Sequence, residues 1–513
     1  MAKCYLTTAI DYSNGEPHLG HAFEKVGADA IARYRRSVGD DVHFVVGMDE
    51  NGQSIAQEAA RRGQTPQELV DALAERFRAA WRPLAISFDD FIRTTEPRHA
   101  RTVTALLERI RAAGDLYLDR YAGYYCTRCE AFKKEEELVE GKCPLHPTRE
   151  IEWTEEENWF FRLSRYGQSL LEHLDRHPRF VRPESRRNEI LRLLEGGLED
   201  ISASRARIPW GIPFPGAEAH TVYVWFDALS NYLSAVGYPE ARYGRWWPAD
   251  LHVIGKDITR FHCVIWPAML LSAGVELPAS VWAHGFLTIG GFKLSKSAGT
   301  ELDLTSLIER HGPDALRYFL LREVPWDGDR DFSSVEGFLE QFDDRYNGEL
   351  ANDLGNLLNR VVSMVARYRD GGVPAAEPGG LEESRRRAVE VYRRAMDGLL
   401  LSQGLGGVFS LVRASNAYVD EVQPWKLARE EREAAGPGTA GSALDTALAD
   451  LVRALGTCAA LLAPFLPNKA GELWKALGGG GEAPALQSLT QALAGLRQVR
   501  PGPILFPRFE QEG

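Results

Sequence analysis

KCYLTTAIDYSNGEPHLGHAFEKVGADAIARYRR, residues 3–36, reads as a strand, a loop and a helix in one pass. Residues 3–10 are rich in β-formers, and the loop that follows carries Asn14-Gly15 and Pro17, residues that break regular structure. From His18 onward Ala22, Val26, Ala30 and Tyr34 recur every four residues, the buried stripe of an amphipathic helix. A second strand at 41–48 (DVHFVVGM) and a second helix near 53–62 extend the alternation. A β-α-β-α start predicts a parallel sheet with helices on both faces.

The pattern changes near residue 116, where Tyr-, Gly- and Cys-containing segments replace the periodicity. Sheet-like signals return at 220–227 (HTVYVWFD) and 251–254 (LHVI), and an apolar helix follows over about 261 to 273. The sheet is therefore expected to be split by an insertion. After Leu294 the spacing is mostly helical, over 345–369, 381–400, 405–421 and 444–463, with soft linkers GGVPAAEPGG at 371–380 and AAGPGTAGS at 434–442. The expected organisation is a first half of the α/β domain at 1–115, an insertion at 116–219 and a second half at 220–295. A connecting region at 296–345 and a helical domain at 346–513 complete it.

Composition sets the outer bounds. The 513 residues are 44% hydrophobic and 26% charged, the balance of an ordinary globular protein with several domains. MAKCYLTTAIDYS has no basic region leading into an apolar stretch, and WPAMLL at 266–271 is broken by Ser272 and Gly274. A soluble, cytoplasmic protein with no membrane partner is expected. Cys4, Cys263 and Cys458 lie scattered in apolar surroundings and read as buried thiols of a reducing compartment. A net charge of −12 argues against indiscriminate nucleic-acid binding while leaving room for local basic patches. The stretch holding Arg182, Arg186, Arg187 and Arg192 reads equally as such a patch or as a solvated helix face.

Three short motifs carry chemistry. His18-Leu19-Gly20-His21 opens the first helix, with two imidazoles on one helical edge and a glycine that admits a flat ring. The helix N-terminus adds backbone N–H groups that favour phosphate. By itself the tetrapeptide reads more readily as two surface histidines beside a cap. Lys293-Leu294-Ser295-Lys296-Ser297 lies in a Gly-flanked loop, where Lys293 and Lys296 suit a clamp on triphosphate oxygens or simply a solvated basic loop. Cys126-x2-Cys129 and Cys143-x2-His146 have the spacing of a tetrahedral zinc knuckle, and four protein ligands make it structural.

Together and in this order, the first two motifs resemble the paired signatures of the class I aminoacyl-tRNA synthetases, written HIGH and KMSKS, with Leu19 for Ile and Leu294 for Met. TTAIDYSNGEPHLGH, VGMDENGQSIA, VYVWFDALSNYL, IGKDITRFHCVIWPAMLLSAG and WAHGFLTIGGFKLSKS resemble the methionyl-tRNA synthetase family in particular. The resemblance implies a Rossmann-like parallel-sheet catalytic domain, split by a zinc-knuckle insertion and followed by an α-helical anticodon-binding bundle. It implies catalytic roles for His18, His21, Lys293 and Lys296, and an ATP site of His18, Gly20, His21, Gly255, Asp257 and Lys296. The methionine pocket it implies is Ala9, Ile10, Tyr12, Trp225, Ala228, Leu229, Tyr232 and His284, with Asp49 on the amino group and Tyr12 or His284 at the thioether. Asp11 and Asn51 depart from the family's usual residues beside these positions.

For the tRNA end the resemblance implies that Asn356 and Arg360, one turn apart, join Pro424-Trp425 in reading the anticodon by stacking and base-edge hydrogen bonds. The expected function is methionine–tRNA ligation: Mg2+-ATP and L-methionine give methionyl-adenylate and pyrophosphate, and tRNA(Met), initiator included, is then charged. One structural zinc per chain and a monomer complete the expectation, since no appended dimerisation domain is apparent. Rival readings are an isoleucine, valine or leucine enzyme, for whose large editing insertion the space between the signatures is too short, and a cysteine enzyme. A tRNA-binding relic with a dead site and a small nucleotidyltransferase are two more. A cysteine enzyme would need a metal-binding Cys near the first motif, where Cys4 lies within a strand.

Overall fold

The computed structural model describes residues 2–13, 15–126, 131–133, 135–144, 151–206, 208–294, 302–434 and 438–510. The opening segment forms β1 (Lys3–Thr8), the two-residue β2 (Asp11–Tyr12) and helix α1 (Leu19–Ser37), followed by β3 (Asp41–Asp49) and β4 (Asp90–Arg93). After the interruption come α2 (Val224–Leu229), β8 (Leu251–Gly255) and β9 (Val281–His284), numbering three insertion strands as β5 (Leu116–Cys126), β6 (Glu152–Phe161) and β7 (Val181–Arg182). All strands of the main sheet are parallel, in the order β4-β3-β1-β8-β9-β7, with β2 pairing the end of β3. Chain direction across the sheet reverses between β1 and β8, which opens a crevice at their carboxyl ends.

Alternation along the strands explains why both faces are covered. Tyr5, Val45, Ile254 and Ala283 enter one apolar core, and Leu6, Phe44, Val46, Val253 and Trp282 the other. The second core runs on without a break into the helical region. There α4 (Pro313–Glu323), α5 (Asn356–Arg369), α6 (Leu401–Val422), α7 (Pro424–Glu433) and α8 (Gly438–Leu462) pack together, α3 being the earlier helix Trp266–Ala273. Arg317 of α4 marks the junction. It is fully buried, pairs with Asp29 of α1 at 2.7 Å, and donates to the carbonyls of Leu84 (2.9 Å), Pro464 (2.8 Å) and Phe465 (2.9 Å).

One expectation needs correction. The strand signal at 220–227 breaks in the middle: the strand Ala217–Val222 belongs to a small antiparallel sheet, and α2 begins at Val224. Trp225, Phe226 and Leu229 look β-like in one dimension, and packing against the cavity decides for helix. The insertion also gives an edge strand, β7, to the main sheet, beside β9. It is therefore not separate from the sheet it interrupts. Among the described residues no helix is long and apolar enough to cross a membrane.

Candidate active site

A cavity of about 740 Å³ lies at the point where the strand order reverses. Ala9, Ile10, Tyr12, Asp49, Trp225, Ala228, Leu229, Tyr232 and His284 line it, and so do His18, Gly20, His21, Gly255 and Asp257. Thus fourteen residues spread over five sequence segments meet around one space. Leu294 lines it too, whereas Lys296 and part of the second signature lie outside the described residues. Lys293 falls in the short strand Phe292–Lys293, which pairs with Leu287–Ile289.

His18 and His21 stack with ring centroids 3.7 Å apart. His18 is the N-cap of α1: its Nδ1 accepts from the backbone N–H of Gly20 (3.1 Å) and His21 (3.4 Å), while His21 Nδ1 accepts from His18 N–H (3.3 Å). With both Nδ1 atoms accepting, the neutral rings carry their protons on Nε2. Loss of solvation, with electrostatic repulsion from His18 and Lys25 that would oppose a second proton, holds His21 well below the usual imidazole range. A Cβ on Gly20 would stand 3.1 Å from the His18 ring, and one on Gly255 would stand 3.0 Å from Asp257 Oδ1. Both glycines keep this end of the cavity open to a flat group.

The opposite end is apolar with a few fixed polar atoms. Trp225 stacks on Phe261 at 3.5 Å, nearly parallel. Phe261 and His262 enter through a wide π-helical turn, Phe261–Ile265, that precedes α3 and turns both side chains toward the cavity. His262 Nδ1 faces the Ile258 carbonyl at 3.0 Å and so carries the proton; its Nε2 accepts from the Tyr232 hydroxyl at 2.6 Å. Burial holds this imidazole down to about 4, so the ring is neutral at neutral pH. Tyr232 is fixed from behind as well, its carbonyl accepting from Tyr5 at 2.7 Å.

His284, which with Tyr12 was one of two residues expected to reach the thioether, lines the cavity and is also bonded within its wall. Its Nε2 meets Glu24 Oε2 at 3.1 Å, its Nδ1 meets the Gly285 carbonyl at 2.8 Å, and its ring stacks on Trp326. The histidine bound to the pocket tyrosine is His262, which the sequence reading passed over although it lies in IGKDITRFHCVIW. A lone histidine opening an apolar helix was the available signal. The reading also missed the roof of the cavity, which the insertion supplies through Tyr121, Phe160 and Ser202.

The two departures have different places. Asp11 lines the cavity and pairs with buried Lys25 at 2.8 Å. Asn51 is buried behind the wall: its amide donates to Asp227 Oδ2 at 2.7 Å, and Asp227 Oδ1 meets His99 Nε2 at 2.6 Å. Asn51 thereby ties the loop after Asp49 to α2, the helix that carries Trp225.

Far along the chain, Asn356 is exposed at the start of α5, and Arg360 pairs with Asp420 at 2.9 Å. Pro424 is buried while Trp425 is 41% exposed, and α5 packs against α7. In the insertion, Cys126 ends β5 and Cys143 follows a turn closed by the Val139–Lys142 bridge; both are buried. Cys129 and His146 lie outside the described residues, and among the described residues no cluster of three potential metal ligands occurs.

A parallel sheet with a crevice at its reversal point, lined there by a His-x-Gly-His turn, has the arrangement expected of a class I tRNA synthetase. The family model for class I tRNA synthetases (M) matches residues 4–152 and 146–362. The methionine–tRNA ligase of Caldanaerobacter subterraneus is 42% identical over 99% of this chain and 79% of its own length; that of Brucella suis is 42% identical over 99% and 98%. The solved Mycobacterium tuberculosis methionyl-tRNA synthetase in complex with methionyl-adenylate superposes with a TM-score of 0.91 at 40% identity, over 99% of this chain and all of that one. The chain belongs to the methionine–tRNA ligase family.

Proposed function

We propose that this chain activates L-methionine with Mg2+-ATP and transfers the methionyl group to the 3′ end of tRNA(Met). The observation that carries the reading is one cavity lined both by the stacked signature histidines and by the Tyr232–His262 pair among aromatic faces. A thioether is polarizable and packs well on aromatic rings, and a neutral tyrosine–histidine pair adds a dipole without placing a charge beside it.

In the first step a methionine carboxylate oxygen attacks the α-phosphorus of ATP, the bond to the bridging oxygen breaks, and pyrophosphate leaves. The Nε2–H groups of His18 and His21 and the N-terminus of α1 stabilise charge on the phosphate oxygens without exchanging protons. Lys293 and Lys296 act on the departing pyrophosphate, Asp257 holds the ribose beside Gly255, and Asp49 takes the amino group. Mg2+ enters with ATP as part of the substrate. In the second step the terminal ribose hydroxyl of tRNA attacks the methionyl carbonyl and AMP leaves.

Asn356, Arg360, Pro424 and Trp425 form the anticodon-reading surface, supported by the exposure of Asn356 and Trp425 and the packing of α5 against α7. Cys126, Cys129, Cys143 and His146 hold one structural zinc, supported by two buried thiols in a segment with little apolar core of its own. A monomer in a reducing cytoplasm fits these features.

ATP–pyrophosphate exchange on purified protein, with methionine, isoleucine, leucine, valine and cysteine in parallel, tests the reading. Exchange driven by methionine well above the others is expected. Exchange driven by another amino acid would overturn the pocket assignment, and none at all would favour a tRNA-binding relic.

A further inference from the structure

Lys25 is fully buried in α1, among Phe23, Val26 and Ala28, and does not itself line the cavity. Its ammonium makes three hydrogen bonds: to the Ala9 carbonyl at 3.0 Å, Asp11 Oδ1 at 2.8 Å and Glu24 Oε1 at 2.8 Å. Glu24 carries the chain further, meeting His284 Nε2 through its second oxygen at 3.1 Å. Ala9, Asp11, Glu24 and His284 all line the cavity, and they stand on three separate pieces of it: the β1–β2 segment, α1 and the end of β9. Ile10, another lining residue, lies between the two grips on the β1–β2 segment. Asp11 Oδ2 is buried with no hydrogen-bond partner among the described residues, so the carboxylate is held through Oδ1 by Lys25.

Packing alone does not call for such an arrangement. Buried charges cost several kcal/mol each to desolvate, and apolar replacements of similar volume are often neutral or stabilising. Phe23, Val26 and Ala28 beside it on α1 are apolar, whereas Glu24 is its ionic partner. What the ammonium adds is direction: its bonds tie the Ala9–Asp11 segment to α1, and Glu24 extends the tie to His284 at the end of β9. A pocket that separates methionine from near-isosteres mainly by apolar contact has little margin, and is sensitive to small shifts of its wall.

We propose that Lys25 is a positioning residue for the amino-acid side of the site, clamping the Ala9–Asp11 segment to Glu24 and, through it, to His284. The proposal rests on the methionine-activating reading above. Asp11, which departs from the family's usual residue, is its second half: the carboxylate and the lysine form one device.

The test is the double variant Asp11→Asn/Lys25→Met, which removes both charges together and leaves Glu24 paired with His284. In ATP–pyrophosphate exchange the KM for methionine should rise about tenfold while the KM for ATP stays within about twofold of wild type. The single variant Asp11→Asn, which keeps Lys25 bound to Glu24 and Ala9, should shift the methionine KM in the same direction by less. A folded double variant with an unchanged methionine KM, or with both KM values raised together, would overturn the clamp. Should the double variant fail to fold, Asp11→Asn decides by the same split. The wild-type lane separates the two levels: exchange there not driven by methionine sinks the functional reading, whereas a wrong split in the variants sinks only the clamp.

Discussion

Asp11 shows how a buried ion pair couples stability to pH. Loss of solvation, opposed by Lys25 and reinforced by Glu24, pushes its carboxyl up to about 7. In the unfolded chain the group returns to the ordinary carboxylate range near ~3.9. Between these values the folded chain holds a proton that the unfolded chain releases, so the contribution favours folding at low pH and is lost as pH rises through about 7. Asp11→Asn has no such proton to lose. Its urea midpoint should therefore gain on the wild type between about pH 4 and pH 7, and a gap that stays constant over that range would contradict the assignment. At this scale the sequence was least informative. It offered Tyr12 or His284 for the thioether and gave no role to His262, which the structure sets against Tyr232, while His284 meets Glu24. The two histidines are apolar-flanked singletons in one dimension, and only the fold decides which of them a tyrosine reaches.

Helix α1 serves two purposes at one residue. His18 Nδ1 closes the helix by accepting backbone N–H groups, which leaves Nε2 to donate toward the cavity. An asparagine can also cap a helix N-terminus, but its amide would not occupy the place of the Nε2–H group. His18→Asn is thus expected to keep the thermal stability of the protein while lowering the exchange rate about 10²–10³-fold, the usual loss for one donor to a developing oxyanion. Calorimetry and exchange on the same sample check both halves; a parallel loss of stability and rate would reduce His18 to a cap. Strands and helices with strong local periodicity were legible in the sequence: β3 and the helix Gln53–Arg62 stand where the pattern put them. The region around 220–227 was not, because its aromatic and β-branched residues suit either state until a partner surface selects one.

Across the whole molecule the sheet and the helical region share one continuous apolar core, with Arg317 bonded to both sides of the junction. The cavity and the exposed Trp425 thus belong to one packed body while lying in different parts of the chain. Trp425→Ala is expected to leave methionine-dependent exchange unchanged and to lower the kcat/KM for tRNA(Met) by ten- to a hundredfold, on the order of the ~1–3 kcal/mol that one base–aromatic stack supplies. Aminoacylation and exchange assays run side by side would check it, and equal losses in both would place Trp425 in folding instead.

The sequence by itself determined the class of fold, the order of its parts and the two signature motifs, because periodicity and short spacings are local properties that survive without neighbours. Tertiary structure alone decided which side chains converge. Lys25 meets Asp11 and Glu24, and Glu24 meets His284, across a separation of 260 residues that no local pattern records. The insertion roofs the cavity it interrupts, and one of its strands joins the sheet. Both outcomes follow from burial: apolar faces and desolvated charges find partners only when the chain closes on itself, and the identity of those partners is set by the sheet order and not by distance along the sequence.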